Sequence, residues 1–296
     1  MPSHKFIAPF GAIVFSSRLV LITIIFYFAI RFKIIFYSPY IFSTLQKNNM
    51  LRISAVSYLN TLPFIYGIEN AGFLNPSEYK LSRDIPSVCA KKLENNEADI
   101  VLVPTAAISK MPDINIISDY CIGANKNVLS VLLVSQKPLS ELKNIYLDYQ
   151  SRTSINLVKV LSKLYWKKDF IWFNSLIGYE NKIKENTGGV IIGDRALELS
   201  AHYKYKYDLA AEWNNFTGLP FVFACWVSKL NINSNFINKF NKSLEWGIEH
   251  INNITPNYPN LSNEFIRNYY KFNIDYNFDN KKHDGMKLFF KYLKEI

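Results

Sequence analysis

The sequence of 296 residues lacks the short motifs that mark the common catalytic and cofactor-binding sites. It contains no GxGxxG, phosphate-binding loop, HExxH or GxSxG pattern, so no dinucleotide, nucleotide-phosphate, zinc-protease or serine-hydrolase site is indicated. No segment combines a nucleophile with a nearby histidine or a close pair of carboxylates.

Cysteine and histidine are also sparse. Cys89, Cys121 and Cys225 are far apart and form neither a CxxC pair nor a metal-ligand spacing, which is typical of reduced thiols in a cytosolic protein. The four histidines are equally scattered: His4, His202, His250 and His283. We expect no metal site. Twelve prolines and eleven glycines exclude a fibrous or low-complexity chain, and 49% hydrophobic residues are enough for a globular core.

The net charge of +10 does not indicate a nucleic-acid-binding protein. Residues 1–49 carry five basic and no acidic side chains, so the remainder holds 29 basic against 24 acidic residues. No stripe of lysine and arginine alternates with aromatic residues. A mildly positive body is better suited to a small anionic ligand.

Residues 1–49 form a separate leader with three interpretations. The apolar run 19–30 would span about 18 Å as a helix, short of the roughly 30 Å hydrocarbon core. Flanking basic residues allow a membrane anchor through 19–37, whereas a secretory signal lacks its cleavage site. The preferred prediction is a non-native extension, because Met50 directly precedes an opening strand and could be the start of the protein.

From Met50 onward, short apolar runs alternate with helical patterns, which predicts an α/β fold with mostly parallel sheets. Helices are expected to begin near Pro86, from a Ser151 N-cap over 152–166, and from Asn235. The predicted strands are 52–56, 100–103, 130–135, 145–148, 189–192 and 221–227. Crossings at 128–135 and 217–227 predict two lobes, the first discontinuous (51–127 plus 222–296) and the second covering 128–221.

Hydroxyl and amide side chains follow several predicted strands, where open α/β sheets bind their ligands. The Ser-Arg-Thr-Ser segment at 151–154 opens a helix, whose free N–H groups, hydroxyls and Arg152 suit a carboxylate. It could equally be a well-capped helix with a solvated arginine. Asn60 either caps a helix or contacts a ligand, Asp194 is more typical of a turn, and Tyr58 of a cleft wall. These patterns indicate capture of a small anion without separating a receptor from an enzyme.

Taken in order, these segments resemble the chorismate dehydratase family, which opens the futalosine route to menaquinone. The similarity runs from 51 to about 290 and is carried by the combination of Ser-Tyr-Leu-Asn (57–60), Ser-Arg-Thr-Ser (151–154) and Thr-Gly-Leu-Pro-Phe-Val-Phe-Ala (217–224). Further matching segments are Ala-Asp-Ile-Val-Leu-Val-Pro (98–104), 117–122, Val-Leu-Ser-Val (128–131) and Ile-Gly-Asp (192–194).

The resemblance implies a fold like that of type II periplasmic binding proteins and an enzyme that removes water from chorismate, giving 3-[(1-carboxyvinyl)oxy]benzoate. It implies no metal or organic cofactor, no nucleic acid, no stable protein partner and a cytoplasmic location. Asn60 and Ser130 are implied to be the catalytic residues nearest the reacting ring. The implied substrate-binding residues are Tyr58, Ser151, Arg152, Thr153, Asp194, Thr217 and Gly218.

Three alternatives remain open at this point. A solute-binding protein tethered to the membrane by residues 1–49 would bind a small anion without turnover. The sister enzyme of the same pathway, which makes dihydroxynaphthoate from a cyclic futalosine, shares the fold but is associated with a different opening motif. A catalytically inactive relative would only bind anions.

Overall fold

The computed structural model describes residues 50–296. The predictions about the leader fall on residues 1–49 and lie outside the described residues. The strands are β1 (Leu51–Val56), β2 (Tyr79–Asp84), β3 (Ile100–Pro104), β4 (Asn115–Ala124), β5 (Val131–Ser135), β6 (Asn144–Leu147), β7 (Ile171–Asn174), β8 (Thr187–Ile192), β9 (Tyr205–Asp208), β10 (Phe221–Ser228) and β11 (Asp275–Asn277).

Nine α-helices accompany these strands within residues 50–296. They are α1 (Leu62–Asn70), α2 (Pro86–Glu94), α3 (Thr105–Ile108), α4 (Thr153–Val160), α5 (Asp194–Leu199), α6 (Leu209–Thr217), α7 (Ser234–Glu249), α8 (Asn263–Asn268) and α9 (Asn280–Tyr292). π-helical turns continue α4 over Leu161–Trp166 and α8 over Tyr269–Asn273. Short 3-10 helices lie at Leu59–Thr61, Leu139–Glu141, Tyr179–Lys182, Ser200–His202 and Ile251–Asn253. None of the helices in this part of the chain is long and apolar enough to cross a membrane.

The strands form two sheets, which confirms the two-lobed α/β architecture. A six-stranded sheet has the order β11-β4-β10-β3-β1-β2, and a five-stranded sheet has the order β7-β6-β8-β5-β9. The first takes its strands from 51–124 and 221–277, and the second from 131–208. The limits of the lobes themselves (51–127 plus 222–296, and 128–221) stay a prediction.

The expectation of mostly parallel sheets is wrong, because both sheets are mixed. β1 runs parallel to β2 and β3, and β6 runs parallel to β7 and β8. However, β10 returns from the other lobe and pairs antiparallel with β3 and β4, while β5 pairs antiparallel with β8 and β9. The two strands that follow the crossings therefore enter the middle of their sheets in the reverse direction.

Burial explains which strands the sequence predicts. All residues of β3, β5 and β10 are buried, so each is a continuous apolar run. Four of the five strands that were not predicted (β2, β7, β9 and β11) are sheet edges, where half-exposed positions accept polar side chains. The fifth, β4, is interrupted by Ser118 and Asp119. Polar residues at these positions conceal the strand pattern.

Candidate functional site

A cavity of about 530 Å³, counting the space at its mouth, lies where the ends of several strands meet. Its walls come from the ends of β1, β3 and β8, from the segments after β1, β2, β6 and β8, from the crossing before β5, and from residues within β4 and β10. The lining residues are Val56, Tyr58, Asn60, Thr61, Pro86, Pro104, Ile122, Val128, Ser130, Val131, Ser151, Thr153, Ser154, Ile192, Gly193, Phe223 and Ala224.

Five of the nine predicted site residues line this cavity: Tyr58, Asn60, Ser130, Ser151 and Thr153. They come from two sheets and from positions almost a hundred residues apart in the chain. They come together because each lies close to the end of a strand, and these strand ends meet at the cavity. Ligands of open α/β sheets bind at such strand ends.

The other four predicted residues lie outside the cavity lining. Arg152 Nη1 is paired with Glu94 Oε1 at 2.6 Å, and both side chains are partly exposed. Thr217 Oγ1 donates to the Trp213 carbonyl at the end of α6, and Gly218 follows with φ of +74°, the left-handed conformation that ends many helices. Asp194, at the start of α5, accepts from the N–H of Leu59, which lies between the lining residues Tyr58 and Asn60. The substrate-binding roles of all four stay predictions.

The turn carrying Tyr58 and Asn60 is held by contacts from distant parts of the chain. The Leu59 N–H donates to Asp194 Oδ1 at 2.9 Å, and the Tyr276 hydroxyl donates to the Asn60 carbonyl at 3.0 Å. The Thr61 hydroxyl donates to Asn60 Oδ1 at 3.1 Å. This contact helps to fix the orientation of the Asn60 amide.

Tyr58 connects the two lobes directly. Its hydroxyl donates to Gln150 Oε1 at 2.5 Å, and the Gln150 N–H donates to the buried carboxylate of Asp148 at 2.9 Å. The Tyr58 ring also packs on Gly193, where φ is +64° and an added Cβ would lie only 2.9 Å from the ring. Glycine is required there for both conformation and space. Burial raises the pKa of Tyr58, so its hydroxyl stays protonated.

Ser130 is held from its backbone on both sides. Leu129, directly before it, has φ of +61°, an uncommon conformation for leucine, and its N–H donates to Asp208 Oδ2 at 2.7 Å. The Ser130 carbonyl accepts from the Gly193 N–H at 2.8 Å. Burial raises the pKa of Asp208, and four backbone N–H groups offset part of that rise. A strained backbone at a cavity is typical of functional sites.

The beginning of α4 supplies the third wall. Ser151 Oγ accepts from the Ser154 N–H at 2.9 Å, although the helix begins at Thr153 and Arg152, not the predicted Ser151, holds the N-cap position. Thr153 Oγ1 accepts from the Ala106 N–H and donates to the Phe223 carbonyl, each at 3.2 Å. The Thr153 hydroxyl therefore ties the helix end to the other lobe. Backbone N–H groups of the first turn, with the helix dipole, remain suited to a negatively charged ligand group.

No ionisable acid or base other than Tyr58 belongs to the lining residues. The nearest carboxyls are engaged by the protein. Asp194 accepts from Leu59 and from the Tyr258 hydroxyl, and Asp148 is paired with Arg195 at 2.6 Å. Burial raises the pKa of both carboxyls. The cavity therefore presents neutral hydrogen-bonding groups and the beginning of a helix to a ligand.

Within residues 50–296, no three side chains of His, Cys, Asp or Glu converge as a metal site.

Three tyrosines near the site were not identified from the sequence. Tyr258 contacts Asp194, Tyr276 contacts Asn60, and Tyr269 donates to Ser130 Oγ at 2.8 Å. All three come from the C-terminal part of the chain, which the sequence indicates only as helical. Tyrosine in such a segment has no motif that separates a buried site contact from a core residue.

The amino-acid sequence is similar to those of proteins of menaquinone biosynthesis. The sequence profile of a family described as "Menaquinone biosynthesis" matches residues 51–295. A chorismate dehydratase of Campylobacter jejuni is 34% identical over 196 residues, which cover 64% of this chain and 73% of that protein.

Solved structures show the same fold at low sequence identity. A protein from Archaeoglobus fulgidus has a TM-score of 0.66 at 12% identity, covering 84% of this chain and 98% of its own. A Candida albicans protein described as having the generic periplasmic binding protein fold has a TM-score of 0.59 at 12% identity, covering 83% and 90%. The predicted periplasmic-binding-protein-like fold is thereby confirmed.

Proposed function

Because the chain belongs to the chorismate dehydratase family of menaquinone-biosynthesis proteins, we propose that it removes water from chorismate. The proposed product is 3-[(1-carboxyvinyl)oxy]benzoate, which would enter the futalosine route in the cytoplasm. In this reaction the C3 proton and the C4 hydroxyl leave together as water, and aromatisation of the ring drives the change.

The observation that supports this proposal most is a cavity that combines hydrogen-bond donors with almost no acid–base chemistry. Asn60 and Ser130 offer neutral polar groups, and the first turn of α4 offers N–H groups with partial positive charge. Chorismate brings two carboxylates of its own. A site of this kind suits a substrate whose enolpyruvyl carboxylate accepts the C3 proton while the protein controls orientation.

We assign Asn60 to the C4 side of the ring, where its N–H groups orient the departing hydroxyl. Ser130 lines the same cavity, and Ser151 and Thr153 set the helix end that receives a carboxylate. Holding the carboxylate and the C3 hydrogen in reacting geometry supplies several kcal/mol of the barrier without a protein base. Closure of the two lobes would keep water away from the ring.

Incubation with chorismate followed by mass spectrometry tests the function. We expect the loss of one water per molecule and an aromatic product, and the Asn60→Ala variant should lower kcat about 100-fold, as for a lost oriented donor in a water-excluded site. Asn238→Ala, an amide deletion on the exposed face of α7, is the matched control and should retain full activity.

Chorismate that binds and is recovered unchanged would refute the proposed function and favour a solute-binding role. Full activity in Asn60→Ala would instead refute the role assigned to Asn60 while leaving the reaction in place.

A further inference from the structure

The hydroxyl of Tyr269 contacts the hydroxyl of Ser130 inside the protein. The two oxygens are 2.8 Å apart, and each residue is only 1% exposed. Tyr269 opens the π-helical turn after α8 and lies 139 residues along the chain from Ser130. A contact over this separation exists only because the C-terminal segment folds back onto the crossing between the lobes.

The direction of this hydrogen bond follows from the chemistry of the two groups. A phenol is a better proton donor than an aliphatic alcohol, so Tyr269 donates and Ser130 Oγ accepts. Burial raises the pKa of Tyr269, and a hydrogen bond from the Asn60 side chain offsets part of that rise. Tyr269 therefore stays protonated.

The contact leaves Ser130 with a defined hydroxyl orientation. One lone pair of Oγ is occupied by Tyr269, and the Ser130 backbone is held by Gly193 and by the Leu129–Asp208 contact. A serine hydroxyl otherwise rotates to suit any neighbour. Here the Ser130 proton is directed away from Tyr269, and Ser130 is one of the residues that line the cavity.

We propose that Tyr269 is a positioning residue for the reaction in this cavity, directing the Ser130 hydroxyl proton toward an oxygen of chorismate. This inference rests on the proposed function. Tyr269 acts through Ser130 and does not itself belong to the cavity lining. It extends the site to a segment that no motif of the sequence indicates.

A double-mutant cycle in the full-length protein tests the inference, using Tyr269→Phe, Ser130→Ala and the double variant. We expect Tyr269→Phe to lower kcat about tenfold, the effect of one lost oriented hydrogen bond. KM should change less than twofold. In the Ser130→Ala background the same substitution should have a clearly smaller effect, because the hydroxyl that it orients is gone and only its contact with the Asn60 side chain remains.

Tyr270→Phe is the matched control. Its hydroxyl is buried beside Tyr269 but has no hydrogen-bond partner among residues 50–296, so its loss should leave kcat unchanged. Circular dichroism and thermal unfolding of each variant separate a loss of orientation from a loss of fold. Equal losses in Tyr269→Phe and Tyr270→Phe, or losses that multiply in the double variant, would overturn the inference.

Different results would refute the proposed function and the role of Tyr269. Turnover by the wild type supports the reaction whatever the variants do. If the wild type binds chorismate without turnover, the same four proteins are compared by the rise in melting temperature that chorismate causes. Coupled effects of the two substitutions on this rise support the action of Tyr269 on Ser130, and additive effects overturn it. No shift in any variant would overturn both proposals.

Discussion

Asp194 provides the sharpest test of how the cavity is held. Its carboxylate accepts from the Leu59 N–H at 2.9 Å and from the Tyr258 hydroxyl at 2.5 Å, and it lies 135 residues from Leu59 in the chain. Leu59 is fully buried, so water cannot replace the lost acceptor in an Asp194→Ala variant. An unsatisfied buried N–H costs about 1–3 kcal/mol, and a hydrogen bond to a charged group contributes about 1.5–3 kcal/mol.

The matched substitutions Asp194→Ala and Asp194→Asn have different expected results. Alanine removes both acceptors, which lowers the free energy of unfolding, while the cost of burying the carboxylate also disappears and offsets part of this loss. We expect a net decrease of about 3 kcal/mol in the free energy of unfolding in urea. Asparagine can still accept from Leu59 through Oδ1 and donate to the Tyr258 oxygen through Nδ2. It should lose less than about 1 kcal/mol.

Kinetics of the same pair separate support of the Tyr58–Asn60 turn from contact with the substrate. If Asp194 only supports the turn, the asparagine variant should keep KM within about twofold of wild type while alanine lowers kcat/KM at least tenfold, the equivalent of about 1.4 kcal/mol. A large rise in KM for asparagine with normal stability would favour the predicted substrate contact. Equal stabilities of the two variants would refute the reasoning about the buried N–H group.

The stability difference between wild type and Asp194→Asn should also depend on pH. Burial raises the pKa of Asp194 above its ordinary value of 3.8. The stability from this group is therefore fully present below pH 3.8 and is lost as the pH rises through the raised pKa. Thermal unfolding between about pH 3.5 and 7 should show the wild type losing stability relative to the variant, whose side chain does not titrate. A difference that stays constant over this range would contradict the raised pKa.

Two further predictions concern packing and the predicted anion site. Gly247→Ala should destabilise the protein by about 3 kcal/mol or more, because an added Cβ would lie 2.0 Å from the Pro63 carbonyl oxygen where α7 crosses α1. Urea unfolding measures this loss. A loss below about 1 kcal/mol would show that the two helices can move apart at little cost. Arg152→Ala should change KM for chorismate less than twofold, since the guanidinium is paired with Glu94 outside the cavity, and a rise of tenfold would instead support the carboxylate contact predicted from the sequence.

Much of the fold could be predicted because its central strands are buried on both faces. The apolar runs that became β3, β5 and β10 need no partner to be recognised, and glycine, proline and serine mark the adjoining turns. The edge strands could not be predicted, since a half-exposed edge accepts the polar residues of a loop. The direction of β10 also depends on its return from the other lobe rather than on its own residues.

The sequence by itself determined the α/β class, the segments that reach the cavity and the family resemblance, because these depend on local patterns read in order. Only the tertiary structure decided which side chains in those segments face the cavity. Asn60 and Ser130 line it, whereas Arg152, next to two lining residues, turns to Glu94. The tyrosine contacts were equally hidden, because a hydrogen bond between residues 139 positions apart depends on how the whole chain folds and leaves no local pattern.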